Sequence, residues 1–540
     1  MTLDASVPEA APPGFSDKVR LHHVLLVAII LLAAFTRFWR LGEPERCYFD
    51  EVYFPTTGAE ILRGDDSAWE FYGHENTHPP LSKIFMAAGM GIFGHKDLHG
   101  GTNDCWGDEA DAGKRNNPAW LYDPFGWRFV GALAGVMAVV FMYLLAKRLF
   151  ASEVAGLASA FLLSVDGLAL AQARIATPDT YVLCFMLASL YFLVSRRWLL
   201  SGLFLGASAG SKWIGAFAVA PIVLYFAWTL YVRLSEAGPD RRLRQAERVF
   251  VAGLIAMAIG VVAAGGLFLA GDGLQPNVLI GGGVPLALGA FVILGGMIAI
   301  ATDPDLRTSA RGRVYLQMAA SFPLFFIAVP FAVYMATYMP MFLNGHGLDH
   351  WWDLNRSAYE FHSSLKATHP YEAPFPTWPI DMRPVFMYLG QGHSKIYNLG
   401  NPVVFWMSLP ALAFTLWQGL RFVRLRLDAG ARLAVWGRIG QQEFAPLWVV
   451  IGYLALWLAL STQGRALFLY HYLPALAFAI LALGYTVHRL WEHPSPLGRR
   501  AAIAFLAVAG ITFVYFYPHW TAIDVPSWLD DSYYWFDSWR

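Results

Sequence analysis

Apolar stretches long enough to cross a bilayer recur along almost the whole chain, and arginine and lysine gather in every second gap between them. A hydrocarbon core of about 30 Å takes about 20 apolar helical residues. Inside it only helices or closed barrels satisfy their own backbone groups. Candidate spans fall at 22–40, 127–148, 154–171, 178–194, 199–212, 214–232, 248–270, 278–301, 316–340, 400–420, 445–461, 466–488 and 499–517. Several are near the lower length limit, and the split at Gly210-Ser211-Lys212 is the weakest, so about 11–13 spans are expected. The fold class is an all-α polytopic membrane protein.

Threading 13 spans puts Lys147-Arg148, Arg196-Arg197, Arg241-Arg242-Arg244, Arg307-Arg311-Arg313, Arg421-Arg424-Arg426 and Arg499-Arg500 on one side. Basic loops stay cytoplasmic, so the N-terminus is expected inside, and two large loops, 41–126 and 341–399, outside. The apolar run 24–35 lacks a clear small-residue cleavage site after it and reads as a retained span rather than a signal peptide. The expected layout is a polar tail (1–21), a first membrane region (22–340) that includes the loop 41–126, the second loop (341–399), a four-helix membrane region (400–517) and an aromatic outer tail (518–540). Within the first loop, 81–93 is apolar but short, and is expected to lie along the membrane surface. Only 14% of residues are charged, against about a quarter in soluble domains. The formal net charge of +0 argues against nucleic acid as a partner.

The unusual polar residues collect on the outer side. Asp50-Glu51 and His78 are in the first loop, and Arg128 opens the second span. Arg174 and Asp179 bracket the next outer turn, Lys212-Trp213 the one after, and Arg465, His471 and Tyr472 stand at the start of a late span. Each alone has a plain structural explanation: arginine and lysine near helix ends snorkel, and Asp179 could cap a helix after Pro178. Gathered on one face, they point to chemistry at the membrane boundary. His346 and His350 at i, i+4, with His362, His369 and His393, invite a metal reading, but no HExxH word or ligand-type cysteine accompanies them. Cys47 and Cys105 share the first loop, where a disulfide or two unpaired thiols are both open, and Cys184 falls inside a span.

Eight words carry more than composition: FDEVYF (49–54), HPPLSK (78–83), RFVG (128–131), RIATPD (174–179), GSKWIGAF (210–217), HPYEAPFPTWP (369–379), NPVVFW (401–406) and YHYLP (470–474). In that order the chain resembles the protein O-mannosyltransferases, multispanning glycosyltransferases of the GT-C type, and the HPYEAPFPTWP and YHYLP words resemble the bacterial branch. The segment 341–399 is too short for the β-trefoil MIR domain of eukaryotic members. The resemblance implies transfer of mannose from a polyprenyl-phosphate-mannose donor to serine and threonine hydroxyls of exported polypeptides at the outer face of the plasma membrane. It also implies no tightly bound cofactor and no metal, and brings in the secretion machinery as a partner.

The family's catalytic acid falls on Asp50, with Glu51 beside it. A phosphate monoester leaves without protonation, so a single general base suffices. Arg128, Arg174 and Lys212 are the expected cations for the phosphate, although Arg128 could instead pair with Glu51. His78, Asp179, Trp213, His369, Tyr371, Glu372, Arg465, His471 and Tyr472 complete the candidate site. Two rivals stand beside this reading. One is a related enzyme with a lipid or glycan acceptor. The other is a transporter, which would want charges near mid-membrane and repeated halves.

Overall fold

The computed structural model describes residues 15–71, 76–94, 122–237, 301–366, 368–428, 440–461 and 465–540. Helix α1 (Phe15–Phe38) leads into the first loop, which contributes α2 (Phe54–Arg63) and α3 (Leu81–Phe93). Then come α4 (Pro124–Phe150), α5 (Glu153–Ser164), α6 (Gly167–Arg174), α7 (Asp179–Val194), α8 (Trp198–Ser211) and α9 (Val219–Glu236). They are followed by α10 (Ala310–Pro323), α11 (Val329–Thr337) and α12 (Leu348–Ser364). An antiparallel hairpin, β1 (Val385–Leu389) and β2 (Lys395–Asn398), precedes α13 (Pro402–Asp428) and α14 (Gln441–Leu458). The chain closes with α15 (Leu473–Trp491), α16 (Pro496–Trp520) and α17 (Ser527–Ser532).

Among the described residues seven helices are long and apolar enough to cross a membrane, or eight with a bent pair counted as one span. That pair is α5 and α6, expected as one span and broken by 59°. The break follows from Asp166, whose carboxylate accepts the Ala169 amide at 2.9 Å and so starts a new helix. The spans expected at 178–194 and 199–212 form helices of 16 and 14 residues, shorter than a full crossing. The weak division at Gly210-Ser211-Lys212 is real: α8 stops at Ser211, Lys212 is extended, and a tight turn over Trp213–Ala218 leads into α9. The spans expected at 248–270 and 278–301 lie outside the described residues. The described residues are mostly helical, as expected, and the second loop adds a two-stranded hairpin.

Small residues set the closest helix contacts. α15 is the most enclosed of the seven, with 78% of its apolar window buried against α5, α13 and α14, as a helix apolar all round requires. In the first loop α3 packs on α2 and on the start of α4. There a Cβ on Gly89 would lie 2.1 Å from the Gly126 carbonyl oxygen. The α4 start is itself well defined: the Asp123 carboxylate accepts the Phe125 amide at 2.8 Å and Pro124 follows.

The aromatic tail, expected as an interfacial anchor, is divided. Trp539 is buried and its indole donates to the Asp381 carbonyl at 2.8 Å, while Ser538 Oγ donates to Met382 O at 2.6 Å. Lys395 pairs with Asp530. Only Trp528, Trp535 and Phe536 stay exposed among the tail's large apolar side chains. The tail thus clasps the second loop.

Gly89→Val should force α3 away from α4 and cost about 1–3 kcal/mol by overpacking, read as a lower unfolding midpoint in detergent. Gly91→Ala, which meets only the flexible end of Leu62 at 3.3 Å, should leave the midpoint nearly unchanged.

Candidate active site

The turn after α1 separates two adjacent carboxylates. Phe49 takes φ 51°, a left-handed conformation that costs a side-chain-bearing residue of order 1–3 kcal/mol, and a short 3-10 turn follows over Phe49–Val52. Glu51 is fully buried. Arg128 grips it in bidentate fashion, Nε to Oε1 and Nη2 to Oε2, both at 2.7 Å. The Ala176 amide donates to Oε1 at 3.0 Å and the Tyr48 amide to Oε2 at 3.4 Å. The remaining Arg128 donors reach the carbonyls of Leu41 (3.2 Å), Pro44 (2.9 Å) and Arg46 (2.9 Å). Arg174 does similar work on the preceding segment: it donates to the carbonyls of Thr36, Arg37, Trp39 and Arg40 at 2.8–3.1 Å. Those of Thr36 and Arg37 are carbonyls of the last turn of α1, which the helix itself leaves without a partner.

Asp50, by contrast, is partly exposed and accepts no hydrogen bond from any described side chain. It lines a cavity of about 190 Å³ with Phe54, His78, Asp179, Lys212, Leu365, Thr368, His369, Arg465, Ala466, Phe468, Tyr470 and His471. Burial pushes its carboxyl up to about 7, with Lys212 opposing and Asp179 adding to the rise. Lys212 donates to both Asp179 oxygens at 3.0 Å and lies 5.3 Å from the Tyr470 ring centre. Arg465 Nη1 donates to His362 Nδ1 at 2.8 Å. The His362 and His78 rings stack at 5.1 Å, and Phe54 also stacks on His78, at 5.8 Å. Burial, followed by the nearby charges of Lys212, Arg465 and Lys83, holds His78 well below the usual histidine range. A second cavity of about 460 Å³ adjoins, sharing Thr368, Arg465 and Ala466 and adding Lys366, Glu372, Phe375 and Ser461.

A buried anchor pair thus stands beside a cavity lined by two carboxylates, Asp50 and Asp179, and two cations, Lys212 and Arg465. Two family models match: "Dolichyl-phosphate-mannose-protein mannosyltransferase" over residues 27–262, and "C-terminal four TMM region of protein-O-mannosyltransferase" over 347–539. The chain belongs to the protein O-mannosyltransferase family. It is 23% identical to the polyprenol-phosphate-mannose–protein mannosyltransferase of Mycolicibacterium smegmatis, over 99% of this chain and 96% of that one. It is 24% identical to the protein of the same name in Mycobacterium tuberculosis, over 95% and 91%. Its fold is that of the S. cerevisiae protein O-mannosyltransferase Pmt1–Pmt2 complex bound to the sugar donor, with TM-score 0.65 and 13% identity over 96% of this chain and 93% of that one.

In this family member the cavity gathers seven of the residues expected from sequence: Asp50, His78, Asp179, Lys212, His369, Arg465 and His471. The other seven stand outside its lining. Arg128 and Arg174 are buried on carbonyls and Glu51, so of the two uses open for Arg128 the geometry has the ion pair, and Arg174 does not face the cavity. Glu51 has all its contacts inward. Tyr472 is fully buried, its hydroxyl donating to that of Tyr453 at 3.1 Å. Tyr371 lies under the Arg383 guanidinium at 5.7 Å, Trp213 donates to the Tyr334 hydroxyl at 3.0 Å, and Glu372 lines the second cavity.

The sequence did not single out Phe54, Thr368, Phe468 or Tyr470, and His362 entered only through the metal reading that was set aside. The words FDEVYF and YHYLP already contained Phe54 and Tyr470, three residues from Glu51 and one from His471. Among the described residues no three His, Cys, Asp or Glu side chains converge on a metal position. His350 instead meets the Trp69 carbonyl at 2.8 Å. Cys47 is disulfide-bonded and Cys184 is free and buried; Cys105 lies outside the described residues.

Removing one member of a buried, hydrogen-bonded ion pair costs about 3–5 kcal/mol. Arg128→Met should therefore lower stability sharply in thermal unfolding and empty the membrane fraction of folded protein, whereas Asp50→Asn should unfold at the wild-type temperature.

Proposed function

We propose that this protein is an inverting mannosyltransferase that moves one mannose from a polyprenyl-phosphate carrier to serine and threonine hydroxyls of exported polypeptides. The observation that carries the reading is the Asp50 carboxylate, free of hydrogen bonds from described side chains, in a cavity that also holds Lys212 and Arg465. Asp50 accepts the proton of the acceptor hydroxyl as its oxygen attacks the anomeric carbon. The bond from that carbon to the phosphate oxygen breaks on the opposite face, turning a β linkage into an α one. The carrier leaves as its phosphate, and Lys212 and Arg465 stabilise the charge it takes away. Asp179 holds Lys212 from the other side, and His78 and His471, buried and flanked by cations, serve as neutral walls.

The site lies on the outer face of the plasma membrane, with the N-terminus in the cytoplasm. Supporting this, Arg128 at one end of α4 borders the Asp50 turn, while Lys147 and Arg148 close its other end, where basic residues mark the cytoplasmic side. Helix α3 lies along the outer surface. Polypeptides reach the site from the secretion machinery, and no tightly bound cofactor takes part. The names of the mycobacterial relatives, matched over nearly their full length, favour a protein acceptor.

The deciding assay offers radiolabelled polyprenyl-phosphate-mannose and a peptide rich in serine and threonine to purified wild type and Asp50→Asn. Labelled peptide from wild type alone, with the variant about a thousandfold weaker, is expected. Donor consumed without peptide labelling would give the acceptor role to a lipid or glycan, and full activity of the variant would remove Asp50 from the reaction.

A base must be ionised, so kcat/KM should fall as pH drops through about 7, where burial has moved the Asp50 carboxyl. Asp179→Asn removes a like charge and frees Lys212 to face Asp50, so the acidic limb should move to lower pH. A limb that stays in place or moves upward in that variant would contradict the assignment.

A further inference from the structure

We infer that His362 is a positioning residue for the donor: a neutral imidazole that fixes the Arg465 guanidinium for the leaving phosphate. The inference rests on the mannosyltransferase reading above and on geometry that reading did not use. His362 Nδ1 faces Arg465 Nη1 at 2.8 Å, and its Nε2 faces the Thr77 carbonyl at 2.8 Å. An arginine can only donate and a carbonyl can only accept. The partners therefore dictate the tautomer: Nδ1 carries no proton and Nε2 carries one. Burial and the Arg465 charge hold the ring down to about 3, so it stays neutral throughout the pH range in which the site works.

What the imidazole leaves open on Arg465 matters as much as what it occupies. Arg465 Nε is buried and donates to no described residue. The side chain borders both the Asp50 cavity and the larger cavity beside it. A guanidinium tethered at one nitrogen, with a second buried donor unfilled, is preorganised for an oxyanion. The tether also joins three separate segments: Thr77 from the His-Pro-Pro turn of the first loop, His362 from the last turn of α12 in the second, and Arg465 ahead of α15. The His362 ring is boxed by His78 at 5.1 Å and by the Trp213 edge at 6.1 Å, which leaves it little freedom to rotate away from Arg465.

The test is a double-mutant cycle on full-length protein in detergent or liposomes, reading KM for polyprenyl-phosphate-mannose, KM for the acceptor peptide and kcat. One hydrogen bond to a charged group predicts about a tenfold rise in donor KM for His362→Ala. Acceptor KM should stay within about twofold. His362→Asn, whose Oδ1 can stand near the Nδ1 position and accept from Arg465, should recover most of the loss; His362→Gln, which reaches toward Thr77 instead, should recover less. In an Arg465→Ala background, His362→Ala should add nothing.

A full additional loss in that background, or an asparagine variant no better than alanine, would overturn the inference. Thermal unfolding of each variant identifies any alanine variant that fails to fold, in which case the Asn and Gln pair decides. Arg465→Ala with unchanged donor KM beside an inactive Asp50→Asn would end this inference while leaving the mannosyltransferase reading standing. An active Asp50→Asn would count against that reading instead.

Discussion

The Glu51–Arg128 pair is the contact on which the candidate site is built. Neither group meets solvent, so both have lost their hydration, and only near-complete hydrogen bonding makes such a pair tolerable. That requirement is met by drawing in backbone from separate places: carbonyls of residues 41, 44 and 46, and amides of 48 and 176. Tyr48 joins the same knot, lying under Arg128 at 5.0 Å with its hydroxyl on the Arg174 carbonyl at 3.4 Å. Each interaction is local, yet together they hold the end of α1, the turn before α2, the start of α4 and the α6–α7 corner in one arrangement.

The acid pair thereby acquires two unlike members. Glu51 faces inward and is neutralised by an arginine; Asp50, one residue earlier, faces a cavity whose cation is shared with another carboxylate. Lys212 stands between Asp50 and Asp179, close enough to Asp50 to restrain the upward drift of its carboxyl and bound directly to Asp179. With its carboxyl pushed up to about 7, Asp50 can take up and release protons at physiological pH.

Much of this was legible beforehand. The alternation of apolar spans and basic loops pointed to the helical membrane fold, and the unusual polar residues at loop and helix ends placed Asp50, Lys212, Asp179, His78, Arg465 and His471 in one region. Facing was not legible. Arg128 and Arg174 stand at outer helix ends, as Lys212 does, and nothing in spacing tells whether a guanidinium meets a cavity or a set of carbonyls. Tyr470 and Tyr472 are two residues apart at the entry of one helix, so they point to opposite sides; the one chosen from sequence packs on Tyr453, and the other borders the cavity. The bend between α5 and α6 was hidden because Asp166, a single polar residue in an apolar run, is a weak signal until its side chain is seen to cap a helix.

The capping of α1 by Arg174 has a consequence for depth. The apolar part of α1 is 18 residues long, about 27 Å at 1.5 Å per residue, slightly less than a typical hydrocarbon core. Since Arg174 and Arg128 tie the end of that helix rigidly to the Asp50 turn, Asp50 cannot move independently along the membrane normal. Its height above the lipid is a property of the helix below it. Bilayer thickness thus becomes a variable of the active site: a thicker membrane draws the turn toward the head groups and a thinner one lifts it away, so lipid composition alone would alter how deeply the cavity sits at the membrane boundary.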